Sequence, residues 1–165
     1  MLYEVASAVQ GLLGNEAERA EAGYRELARV LAQQLSRLPD VPQEAVRAGR
    51  RWAAVLDKVQ LRGETLSAEE ALEAVTVLLE RLGFRPEADL AGRELRLHRC
   101  PYMDVARDNR VVVCGAHLGM LKATLERMVS PLEAVGLEPL LVDGPSLCTV
   151  RLALRETPEE APPGD

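Results

Sequence analysis

Apolar residues recur at three- and four-residue steps through the first half of the chain. Leu2, Val5, Ala6, Val9, Leu12 and Leu13 run up to Gly14 and predict a helix over residues 2–13. A second helix is expected over residues 16–38, with Ala20, Tyr24, Leu27, Leu31, Leu35 and Leu38 on one stripe and Pro39 ending it. Residues 42–60 carry Val46, Gly49, Trp52, Ala53, Leu56 and Val59, behind a proline placed where a first helical turn tolerates one. Ser67-Ala-Glu-Glu70 has the form of a capping box, from which Leu72, Val75, Leu79 and Leu82 lead to Gly83.

From Phe84 the period changes. Residues 84–90, a turn at Ala91-Gly92 and residues 93–99, where Leu95 and Leu97 alternate with Arg96 and His98, predict a β-hairpin. After Cys100-Pro101 a short helical turn fits residues 102–107. Residues 111–129 then predict a buried helix, with Cys114, Leu118, Leu121, Leu125 and Met128 at steps of four and three. A second hairpin is expected from residues 137–142, a turn at residues 143–146, and residues 147–155, with Cys148, Val150, Leu152 and Leu154 on one face. The expected class is α+β: N-terminal helices, then an antiparallel sheet of two hairpins with a helix between them, ββαββ, covered on one face. Residues 1–82 form the helical segment and candidate dimerisation unit, 83–155 the ββαββ region, and 156–165 a disordered acidic tail with no apolar payload to offset ordering entropy.

Composition narrows the function. The 165 residues are 47% hydrophobic and 28% charged, as in a folded domain, but contain no isoleucine, one phenylalanine and one tryptophan, so Leu, Val and Ala must make the core. Twenty basic residues against 26 acidic ones give a net charge of −6, poorly suited to gripping a phosphate backbone. The longest uncharged stretches, residues 5–15 and 111–121, fall far short of the roughly 20 that a membrane helix needs. The start has no basic region leading into an apolar run, so a cytoplasmic location is expected.

Three cysteines cannot all pair within the chain, and in a reducing cytoplasm they stand as thiols, metal ligands or redox groups. Their spacing is C-x13-C-x33-C, each at a junction of predicted elements, and His117 lies on roughly the same helix face as Cys114. Cys100, Cys114, Cys148 and His117 together would make a closed Cys₃His zinc set. Three thiolates with a further ligand equally suit an iron–sulfur cluster. Free cysteine also packs as a small hydrophobe, and a buried histidine is commonly satisfied by a backbone carbonyl. Gly115 and Gly119 predict a flat helix face where another backbone or a ligand comes close. No Ser-His-Asp set, GxGxxG, phosphate loop or HExxH occurs, so no enzyme is expected.

The stretch Leu97-His-Arg-Cys-Pro-Tyr-Met-Asp-Val-Ala106, followed by Val111-Val-Val-Cys-Gly-Ala-His-Leu-Gly-Met120 and Gly144-Pro-Ser-Leu-Cys-Thr-Val150, resembles the C-terminal sensor half of bacterial helix-turn-helix regulators related to the SufR iron–sulfur repressors. Ala48-Gly-Arg-Arg-Trp52 resembles the helical segment that precedes that motif. The resemblance implies a fold similar to four-vinyl-reductase-type domains and an iron–sulfur cluster on Cys100, Cys114 and Cys148. It also implies a homodimeric transcription regulator that meets DNA only through a helix-turn-helix module outside this chain, which starts inside the helical segment. The expected function is therefore a sensory domain holding an iron–sulfur cluster or zinc. The alternatives are a metal-free small-molecule sensor and a purely structural dimerisation domain.

Overall fold

The structure, a computed structural model, describes residues 16–56, 65–140 and 147–155. The expected helix over 2–13, the far end of the third helix, the turn at 143–146 and the acidic tail lie outside the described residues. Three helices come first: α1 (Glu16–Leu35), α2 (Val41–Leu56) and α3 (Ala68–Arg81). Strands β1 (Pro86–Asp89) and β2 (Glu94–Leu97) follow, then a one-turn helix α4 (Met103–Ala106), a long helix α5 (Arg110–Arg127), and strands β3 (Leu132–Leu140) and β4 (Leu147–Leu154). The class is α+β, with N-terminal helices preceding a four-stranded antiparallel sheet of order β1-β2-β4-β3. The short turn expected over 102–107 is the one-turn helix α4, and Asn109, outside helical backbone geometry, separates it from α5, so two helical pieces stand between the hairpins.

The capping box before α3 forms in full. The Glu70 backbone N–H donates to Ser67 Oγ at 3.2 Å, and the Ser67 N–H donates to Glu70 Oε2 at 2.8 Å. At the other end Gly83 takes φ of 89°, its N–H donates to the Glu80 carbonyl, and the Phe84 N–H reaches back to Leu79 at 3.0 Å. This helix stop turns the chain sharply and sends Phe84 inward, where it is 4% exposed.

The sheet is one-sided. Leu95 faces Val150 and Leu97 faces Cys148 across β2 and β4, all buried, while Arg96, Glu94, Arg151 and Glu138 form ion pairs on the outer face. Strand β3 begins five residues before the expected Leu137. A bulge between Ala134 and Gly136 explains the difference: Leu132 and Ala134 point inward, one extra residue leaves Val135 exposed, and inward alternation resumes at Leu137 in the opposite phase. Leu154, expected inside, is instead largely exposed at the strand end.

Helix α5 runs through the middle, between α2 on one side and the sheet on the other, and buries residues around most of its circumference. Its contact with α2 is backbone to backbone. A Cβ on Gly49 would stand 1.9 Å from the Ala116 carbonyl oxygen, one on Gly119 would stand 2.1 Å from the Val46 carbonyl oxygen, and one on Gly115 would press on Ala45 Cβ. Gly115 and Gly119 thus make room for a neighbouring helix. The Arg50 guanidinium closes the same contact with two hydrogen bonds to Glu126, at 2.6 and 2.7 Å. Helix α1 packs far more loosely; Ala32 is its only buried residue. No helix among the described residues is long and apolar enough to cross a membrane.

Candidate functional site

His117 sits on the α5 face that looks toward α1, α2 and α4, and is 5% exposed. Three aromatic rings surround it. Phe84, delivered by the stop of α3, meets the imidazole edge-on at 5.0 Å between centroids; Tyr102, just before α4, lies at 5.2 Å, and Trp52 of α2 at 5.6 Å. Tyr102 also packs against Trp52 at 5.8 Å and Phe84 at 6.0 Å, so the rings brace one another. Burial alone lowers the His117 pKa to about 4, which leaves the imidazole neutral at pH 7 with one donor and one acceptor nitrogen. The imidazole makes no hydrogen bond among the described residues.

Beside the imidazole lies a cleft of about 430 Å³, broadly open to solvent and within the volume range of small-molecule sites. Its walls are short aliphatic side chains from three helices: Ala28, Ala32 and Leu35 of α1, Ala48 of α2, and Val112, Val113 and Ala116 of α5. The remaining wall is Val105 of α4, Trp52 and Tyr102, with His117 itself. The space exists because alanines stand where helices meet and leave volume that larger side chains would fill. Arg25 of α1 and Asp104 of α4, paired at 3.5 Å, tie the two elements together nearby. No charged residue belongs to the walls.

The three cysteines come from three elements. Cys100 follows β2 and is half-buried, Cys114 lies on α5 and is half-buried, and Cys148 opens β4, buried opposite Leu97. They are close enough to act on one another. Burial raises the Cys114 pKa and a charge on Cys100 raises it further; burial pushes Cys148 up to about 12, with Cys100 and Cys114 both adding to it. Burial also raises Cys100, against which the Tyr102 backbone N–H donates a hydrogen bond that favours the thiolate. All three therefore stand as thiols near neutral pH.

Soft sulfur donors suit zinc or an iron–sulfur cluster, but each thiol would have to lose its proton first. Among the described residues no three Cys, His, Asp or Glu side chains stand in a grouping that could hold a metal ion. The arrangement gathers the thiols into one region without presenting a preformed metal site. His117 lines the cavity, whose walls include none of the cysteines.

Sequence patterns did not reveal the aromatic cage. Only five residues of the chain are Phe, Trp or Tyr, and three of them, from segments far apart, converge on one histidine. That scarcity is the one signal that could have flagged Trp52, Phe84 and Tyr102. A scan of the chain against protein-family models finds no match, and no curated protein matches it.

Proposed function

We propose that this chain is the sensory part of a cytoplasmic transcription regulator, and that its effector site is the cavity at His117. One observation carries the reading: a nearly fully buried imidazole, neutral and without a hydrogen-bond partner among the described residues, faces a cavity of about 430 Å³. A polar group so placed costs free energy unless something satisfies it, and a bound molecule would do so. The cavity touches α1, α2, α4 and α5, so filling it would draw the loosely held α1 onto the body of the domain and change what α1 offers to a partner. The module binds its effector without turning it over.

The partner we propose is a second copy. Tyr24, Leu27 and Leu31 repeat along α1 and are more than half exposed, an apolar stripe that a homodimer would cover. DNA contact would come through a helix-turn-helix module outside this chain, since a net charge of −6 favours no phosphate backbone. The uncharged fluorescent probe N-phenyl-1-naphthylamine tests the site. Its emission should rise on mixing with the protein and stay low with Ala48→Phe, a change at an exposed helix position that fills the cavity mouth. No rise with the unmodified chain would defeat the reading.

A second reading is favoured by the mutual effect of Cys100, Cys114 and Cys148 on one another, together with the SufR resemblance: that these thiols take an iron–sulfur cluster or zinc. Anaerobic purification followed by iron, acid-labile sulfide and zinc analysis distinguishes it. Metal that disappears when all three become serine would support it; a colourless, metal-free protein after reconstitution would count against it.

A further inference from the structure

We infer that the molecule held at His117 is uncharged and largely apolar, with a hydrogen-bonding group that meets the imidazole. The inference rests on the cavity being a ligand site and adds the chemical class of what enters it. The first argument is charge. No wall residue is Lys, Arg, Asp or Glu. His117 supplies no compensating charge either, because burial keeps the imidazole neutral through the physiological range. A carboxylate or ammonium group held against the imidazole would give up part of its water and meet no opposite charge in the walls.

The second argument is polarity. Besides the Trp52 indole N–H and the Tyr102 hydroxyl, the imidazole is the only side-chain hydrogen-bonding group in the walls, and it is the most deeply buried of the three. A hydrogen-bonding group on the ligand can meet it, while the rest of the ligand lies against Ala, Val and Leu.

A matched set on one ring system tests the class: 2-naphthol, 2-naphthoate and naphthalene, each displacing N-phenyl-1-naphthylamine from the full chain at pH 7.5. Naphthol is expected to displace the probe at a concentration at least about tenfold lower than naphthoate, and about fivefold lower than naphthalene, the worth of one net hydrogen bond. His117→Phe should still bind the probe but lose the preference for naphthol over naphthalene, a change that a purely structural role for the imidazole would not produce. Naphthoate binding as well as naphthol would overturn the ligand class while leaving the site in place. Absence of probe binding would instead remove the site itself. Probe uptake that rises only as a dimer dissociates in light scattering would assign the cavity to the second copy and overturn the inference.

Discussion

Phe84 stands edge-on to His117, with ring centroids 5.0 Å apart and planes at 75°. One residue ends a helix turn and the other lies in the middle of α5, yet they meet in the core, where His117 is the only buried imidazole among the described residues. Burial, to which the Phe84 ring contributes with Trp52 and Tyr102, keeps the imidazole neutral.

Stability should therefore fall with acid in a window set by His117. The folded pKa is about 4 and the unfolded value about 6.5, so between them the unfolded chain binds the additional proton. This contribution is fully present above pH 6.5 and is lost as pH falls toward 4. About 2 kcal/mol should disappear between pH 7 and pH 5. Urea unfolding at both pH values checks it against His117→Phe, which should show a much smaller loss; equal losses in the two proteins would refute the assignment.

Removing the ring should both loosen the core and rehydrate the imidazole. Phe84→Ala is expected to cost about 3–5 kcal/mol, as for other fully buried phenylalanines. In the milder Phe84→Leu the His117 pKa should rise toward 6.5 as water gains access, followed by imidazole proton shifts in an NMR titration. An unmoved pKa would mean that some other group keeps the imidazole neutral.

Two glycines on helices should respond oppositely to the same substitution. Gly23 of α1 has nothing within 4 Å of a new Cβ, so Gly23→Ala should raise stability by about 0.5–1 kcal/mol through helix propensity. Gly49→Ala makes the same gain but drives a methyl into the Ala116 carbonyl, and α2 must move off α5. Thermal melting should rise for the first and fall by several degrees for the second. A rise in both would show that the helices can separate at little cost.

The thiols should react slowly while the chain is folded. With every cysteine pKa raised by burial, and Cys148 at about 12, the thiolate fraction at pH 7.5 is small. Timed iodoacetamide labelling read by mass spectrometry should label Cys148 last and speed up for all three in urea. Rapid labelling of Cys148 in the native protein would contradict its placement.

Ser67, Glu70 and Gly83 announced α3 because a helix end is settled within a few residues, by which side chain can reach which backbone N–H. Leu95, Leu97, Val150 and Leu152 declared the inner face of the sheet by strict alternation, and the early start of β3 escaped notice because the bulge at Val135 breaks that alternation. Local spacing thus carried the helices, the hairpins and the α+β class. It carried nothing about which distant segments meet. That Gly49 touches Ala116, that the rings of Trp52, Phe84 and Tyr102 close around His117, and that alanines of α1, α2 and α5 leave a cavity between them were decided only by tertiary packing. Such contacts depend on the complementary shape of surfaces remote in the chain, for which no periodicity exists to be read.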